Sequence, residues 1–365
     1  MASMSERIHN FGAGPGVLPE PVLRQAQQDI WNIGGSGIGI AEHSHRGKLF
    51  DRIIAEAEDS ARRLADIPDR YKILFVQGGA TQQFAMAPMN LLPAGRTADY
   101  LITGVWAQKA HQEAQKFGTT HVALTGEASR FTCIPDPSEI RYSENPAYVH
   151  LTTNNTIYGT QWKTEPPVPS GVPLVADTSS DMFSRPIDVS KYGVIYAGAQ
   201  KNLGPSGIVL VIIREDLAEL APKTLPTMLQ YRTYVKDKSL YNTPPTFAIY
   251  MVGQVLKWIH DTGGLAAMAE RNAAKAGRLY DFLDQSALFK GPVHRDSRSL
   301  MNVVFRCPSE ELDNRFVSEA TKRGLDGLKG HRSAGGMRAS LYNACSMDSV
   351  AALVAFMKEF ERVNC

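Results

Sequence analysis

Cysteine is scarce in this chain: four residues among 365, at positions 133, 307, 345 and 365, with no C-x-x-C pair. That spacing argues against a zinc ribbon or a disulfide framework and fits reduced thiols in the cytoplasm. Charge of one sign is lacking too, since 39 Lys and Arg face 37 Asp and Glu for a net +2. Nucleic acid is therefore not an expected partner. No stretch approaches the ~18 consecutive apolar residues of a membrane span, and Met1–Gly12 has no apolar core of signal-peptide length. Neither a membrane nor secretion is expected, so the sequon Asn154-Asn155-Thr156 would go unused. Repeats, low-complexity tracts and like-charge blocks are absent. So are the phosphate-binding G-x-x-x-x-G-K-[ST], the G-x-S-x-G elbow and H-E-x-x-H. Two near misses to the dinucleotide fingerprint, Gly12-x-Gly14-x-Gly16 and Gly35-x-Gly37-x-Gly39, have neither the last glycine in register nor a strand directly ahead. No metal site is expected.

What remains is a chain 43% hydrophobic and long enough for two or three domains. Apolar runs at residues 72–76, 100–103, 148–151, 172–176, 193–196 and 208–213 alternate with polar or helical stretches. Runs that are apolar throughout predict strands covered on both faces, hence a mostly parallel sheet flanked by helices. Helical spacing appears over residues 22–31 and 50–67 ahead of that region. After Pro244-Pro245 the pattern changes to helices at 247–258 and 265–283, a strand at 301–305, and helices at 310–323 and 349–362. The expected organisation is an N-terminal segment (1–20) packing with a small domain, a large α/β domain (21–255) and a small α+β domain (256–365). Ligands bind at the carboxyl ends of the strands of such sheets and in clefts between domains.

Three strand ends carry unusual residues. The first runs into Gln77-Gly78-Gly79-Ala80-Thr81, where two glycines and a helix start suit a phosphate; alone, the same residues make a tight turn with Thr81 as helix cap. Another ends in Asp177-Thr178-Ser179-Ser180. A carboxylate there needs a cation, a metal or a protonated ligand nitrogen, unless it simply closes an Asx turn. The third leads to Gln200-Lys201 in a Gly/Pro-rich loop between two buried-type strands, where a partly buried amine would be poised to form an imine. Phosphate cradle, acid and amine together are the groups that pyridoxal phosphate requires. Two further motifs, His45-Arg46 and His331-Arg332, lie in Gly-flanked segments nearly three hundred residues apart, the second followed by Arg338. Guanidinium forks with imidazole donors suit a phosphomonoester, and Arg338 suits a carboxylate; each pair alone is equally a surface ion-pairing group.

The blocks FGAGPGVLP (11–19), HSHRGK (43–48), QGGATQQF (77–84), SRPIDVSKYGVIYAGAQKNLG (184–204), YNTPPTF (241–247) and KGHRSAGGMRASLYNA (329–344) are long and specific. Through them the chain resembles the phosphoserine aminotransferases, fold type I pyridoxal-phosphate enzymes of the class V aminotransferase group, over essentially its whole length. The resemblance implies a seven-stranded, mostly parallel sheet in the large domain, with pyridoxal 5'-phosphate as cofactor. It makes Lys201 the Schiff-base lysine and Asp177 the partner of the pyridine nitrogen. Trp106 would stack on the ring, Thr156 would bond the ring hydroxyl, and Ala80, Thr81 and Gln200 would hold the cofactor phosphate. Asn242 and Thr243 would reach that phosphate from a neighbouring subunit, which makes the enzyme a homodimer with shared active sites. His45, Arg46, His331 and Arg332 would receive the substrate phosphate, and Arg338 the α-carboxylate. The substrates implied are L-glutamate and 3-phosphohydroxypyruvate, in cytoplasmic serine biosynthesis; the sequence leaves open whether the related phosphohydroxythreonine of pyridoxine biosynthesis is also used. Ala80-Thr81 stands where some relatives carry a longer glycine run and an arginine, so one phosphate contact is either missing or replaced by a hydroxyl. The other readings are a different class V enzyme, such as an alanine–glyoxylate aminotransferase or a cysteine desulfurase, and a noncatalytic binding protein that kept the fold.

Overall fold

A computed structural model describes residues 7–364; Met1–Glu6, the start of the expected N-terminal segment 1–20, and Cys365 lie outside the described residues. Seven strands form the main sheet: β1 (Tyr71–Gln77), β2 (Thr97–Ile102), β3 (Thr119–Thr125), β4 (Pro146–Thr152), β5 (Leu174–Asp177), β6 (Val194–Gly198) and β7 (Ile208–Arg214). Their order is β1-β7-β6-β5-β4-β2-β3. Neighbours from β6 to β3 are parallel, whereas β7 runs antiparallel to both β6 and β1. The exception follows from the connection, because the short loop 199–207 reverses the chain and a parallel return would need a long crossover. β1, β5 and β6 therefore end, and β7 begins, at one edge of the sheet.

The β-branched run of β7 shows why the strands read as continuously apolar. Ile208, Leu210 and Ile212 face one core while Val209, Val211 and Ile213 face another. On the first face pack α1 (Glu20–Asp29), α2 (Lys48–Leu64) and the later helix α5 (Thr246–Asp261); on the second, α3 (Ala80–Leu91) and α4 (Val105–Ala114). β3 has no such run. It is the edge strand TTHVALT, largely exposed along its first half, so polar residues are tolerated there and no apolar signal marks it.

The apolar core changes hands within α6 (Gly264–Gln285): Leu265 and Met268 join the first core, Ala276, Leu279 and Leu283 a third one. The division expected at 255/256 falls inside α5, whose Ile259 still packs with the sheet. The third core is built on Phe289, in the segment after α6, with Phe305, Phe316 and Phe360 from β8 (Asn302–Phe305), α7 (Glu310–Lys322) and α8 (Met347–Asn364). β8 pairs antiparallel with β9 (Met337–Ser340). The chain start belongs to this unit, since His9–Asn10 pairs with Leu325–Asp326 and Phe11 is buried in the same core.

Candidate active site

At the edge where β1, β5 and β6 end, a cavity of about 240 Å³ is lined by Ala80, Thr81, Trp106, Asp177, Gln200 and Lys201, with Ser179 and several glycines between them. The helix start of α3 forms one wall. Gly79 is its N-cap residue, and no side chain among the described residues caps it, so Thr81 is not the cap. The amides of Ala80 and Thr81 are left without intrahelical acceptors, as first-turn amides are. Gly78 adopts φ +105°, which only glycine takes without strain, and a Cβ on Gly198 would lie 3.4 Å from that of Ala80. The wall is thus bare backbone carrying partial positive charge, suited to an anion.

Asp177 closes β5 inside the protein. Its Oδ1 accepts from the Ser179 amide at 3.0 Å and the Ser179 hydroxyl at 2.6 Å, and that hydroxyl accepts in turn from the Gly198 amide at 3.0 Å. This aspartate closes an Asx turn and also lines the cavity. Among the described residues Oδ2 has no hydrogen-bond donor. Burial raises the Asp177 pKa, opposed by Lys201 and the Ser179 bonds.

Lys201 extends from the reversing loop, with Nζ donating to Thr156 Oγ1 at 2.8 Å and lying 5.6 Å from the centre of the Trp106 ring. Burial pulls its pKa down to about 8; Asp177 opposes that shift and Arg338 adds to it. The backbone carbonyl of Thr156 accepts from Arg338 Nη1 at 3.0 Å, so this one residue touches both cations. Arg338 is mostly buried, on β9, and its Nε has no partner among the described residues. Gly104, ahead of Trp106, is dictated by packing: a Cβ there would lie 2.4 Å from Asn155 Oδ1.

The other expected residues lie outside the lining. Asn242 Nδ2 donates to Gln77 Oε1 at 2.8 Å, at the end of β1, and Thr243 is exposed. His331 bonds only within its own loop, to Ser333, and its pKa is lowered by partial burial and then by Arg338, Arg332 and Lys109. Arg332 and Arg46 are exposed, and His45 Nε2 is buried without a partner among the described residues. Among the described residues no hydrogen bond or ion pair joins His45 or Arg46 to the His331 loop. Cys133, Cys307 and Cys345 are absent from the cavity lining, and no cluster of metal-ligating side chains occurs among the described residues.

Residues 8–353 match the aminotransferase class-V family. The chain belongs to the class-V aminotransferases. A phosphoserine aminotransferase from Herpetosiphon aurantiacus is 54% identical over 97% of this chain and 98% of its own. The solved phosphoserine aminotransferase from Bacillus circulans subsp. alkalophilus superposes with a TM-score of 0.97 at 52% identity, covering 99% of this chain and 100% of that one. A PLP-bound phosphoserine aminotransferase structure from Trichomonas vaginalis gives 0.92 at 39% identity, over 96% of this chain and 100% of its own.

In this class-V aminotransferase, sequence reasoning overlooked Ser179, which fixes Asp177, and Tyr342, which ties the chain start to the site. The Tyr342 hydroxyl donates to the Ala13 carbonyl at 2.6 Å, and the Gly16 amide donates to the Gln200 carbonyl at 2.7 Å. The Asp-Thr-Ser sequence was a signal for Ser179, since a hydroxyl two residues after a strand-end carboxylate commonly bonds it. Tyr342 carries no comparable signal.

Proposed function

We propose that this chain transfers the amino group between L-glutamate and 3-phosphohydroxypyruvate, giving 2-oxoglutarate and O-phospho-L-serine, in cytoplasmic serine biosynthesis. The observation that carries the reading is the convergence of Lys201, Asp177 and the uncapped start of α3 on one cavity. These residues fit pyridoxal phosphate: bare amides for its phosphate, a carboxylate oxygen free of protein donors for its ring nitrogen, and an amine of lowered pKa for its aldehyde. When bound, that cofactor supplies an electron sink for the carbon that loses a proton. Ala80, Thr81 and Gln200 would bind its phosphate, Trp106 would cover a ring face, and Thr156 would bond the ring hydroxyl. Asp177, held in place by Ser179, would keep a proton on the ring nitrogen. Lys201 Nζ takes the proton from the substrate Cα and returns it on the other side of the exchange. A lowered pKa leaves part of the amine neutral near pH 7, as a base requires. Arg338, anchored on Thr156, orients the α-carboxylate bidentately.

His331 and Arg332 would receive the substrate phosphate, joined by His45 and Arg46. A homodimer with shared sites accounts for the isolation of His45 and Arg46 within one chain and for the exposed Trp31, Ile38 and Tyr241. Asn242 and Thr243 would complete the cofactor-phosphate site in that dimer. A cysteine desulfurase needs a nucleophilic thiol at the site, and no cysteine among the described residues lines the cavity. The test compares glutamate-dependent amination of 3-phosphohydroxypyruvate with that of unphosphorylated hydroxypyruvate. A preference of at least about tenfold in kcat/KM, some 1.4 kcal/mol, is expected for the phosphorylated substrate; equal values overturn the phosphate role of the His-Arg pairs. Phosphohydroxythreonine, assayed in the same way, tests the related substrate.

A further inference from the structure

Lys275, on α6, is completely buried, and no carboxylate is bonded to it among the described residues. Its Nζ donates to the carbonyls of Tyr342 at 2.7 Å, Leu341 at 3.0 Å and Asn343 at 3.5 Å. Three donors thus meet three carbonyls of one irregular segment, which begins directly after β9. A buried charge without a counter-ion is expensive, and methionine would fill the same volume without that cost.

The segment it holds has three arms. Toward β9 it leads back within three residues to Arg338. Tyr342 reaches the chain start, where its hydroxyl bonds Ala13, and a Cβ on Gly16 would lie 2.7 Å from its ring and 3.0 Å from the carbonyl of Lys201. Asn343 donates its amide to Asn202 Oδ1 at 3.0 Å, next to Lys201, and its side chain donates to the Phe183 carbonyl at 2.9 Å. One turn before Lys275, Asn272 Nδ2 bridges Asn343 Oδ1 at 2.8 Å and the Ser184 carbonyl at 3.0 Å. The same face of α6 therefore grips the segment twice.

We infer that Lys275 is a positioning residue that registers the Arg338-bearing strand against the Lys201 loop by fixing the backbone of residues 341–343. The inference rests on the roles of Lys201 and Arg338 proposed above. A merely structural Lys275 would affect stability alone, whereas a positioning one governs the geometry of two reacting groups on different units. Misplacement of order 1 Å at such groups costs on the order of 10²-fold in rate.

The experiment uses Lys275→Met in the full chain, with two readouts below its melting temperature. Amide hydrogen exchange of the apoenzyme at residues 13–16, 199–204 and 341–343 is expected to rise relative to the rest of the sheet. With cofactor and both substrates, kcat/KM is expected to fall about ten- to hundredfold. Native exchange and native kcat/KM, with only a lowered melting temperature, overturn the inference. Should Lys275→Met not fold, Asn272→Ala decides: faster exchange at 199–204 with a several-fold loss of kcat/KM supports it, and native values of both overturn it. The exchange readout needs neither cofactor nor substrate, so it separates failure of this inference from failure of the proposed reaction.

Discussion

The two ends of the proposed site are built differently. Around Lys201 the charged groups are held by the chain itself: Asp177 by Ser179, Ser179 by the Gly198 amide, Lys201 and Arg338 by Thr156. Among the described residues the side chains of His331, Arg332, His45 and Arg46 make local bonds at most, and the two arginines are exposed. The difference follows from what each end must bind. A resident cofactor repays permanent organisation, since preset dipoles and bonds need no rearrangement during the reaction. A substrate that enters and leaves needs groups that can be reached, and solvated arginines on Gly-flanked loops meet that need.

Removing Lys201 breaks the organised end outright. Lys201→Ala is expected to lower turnover by at least about 10²–10⁴, the range of general acid–base catalysis, and to leave the purified protein without yellow absorbance after soaking in pyridoxal phosphate. Retention of more than about a hundredth of the wild-type rate would refute its role. Arg338→Ala comes next. It strips the Thr156 carbonyl of a buried charged donor and the substrate of its clamp, and should cost about 2–5 kcal/mol in kcat/KM. If the loss fell on kcat alone with KM for both substrates native, Arg338 would not be a carboxylate clamp.

Legibility in the sequence followed the same division. The strands appeared as runs because both faces of the sheet are covered, and β3 escaped because an exposed edge leaves no apolar mark. Lys201, Asp177 and the Gly78-Gly79 turn, which line one cavity, stand out in the sequence because each departs from what its strand end ordinarily carries. Ser179 was within reach of that logic, as a hydroxyl two residues beyond a buried acid. Tyr342 and Lys275 were not, since their partners are carbonyls of residues far away in the chain, and a carbonyl has no letter. The change of core carries no mark in the sequence for a related reason: α6 is one uninterrupted helix serving two cores, and helical periodicity does not reveal which core a residue faces.

A smaller effect sharpens the electrostatics of the organised end. With Lys201 brought down to about 8 chiefly by burial, its neutral amine fraction rises about tenfold between pH 7 and 9 and then levels off. Capture of pyridoxal phosphate by the apoenzyme, followed by absorbance, should show that rise and plateau; a rise continuing past pH 10 would mean an unperturbed lysine. The sign for Asp177→Asn is opposite for capture and turnover. Loss of the carboxylate removes an attraction that raises the Lys201 pKa, so capture below pH 8 quickens, while turnover falls because the ring nitrogen loses its proton partner.

The smallest effects belong to the reachable end. His331→Ala and Arg332→Ala are each expected to raise KM for the phosphorylated substrate several-fold, leave kcat nearly native, and leave capture of the cofactor untouched. Because these groups are solvated, their attraction for a dianion is screened over about 8–10 Å at 0.1–0.15 M salt. The wild-type KM should therefore climb with ionic strength, and the variants should climb less. A loss above about a hundredfold, or one indifferent to salt, would mean that the phosphate groups are desolvated and fixed in the working enzyme. The contrast between the two ends would then belong to the single chain alone and would vanish in the homodimer proposed above.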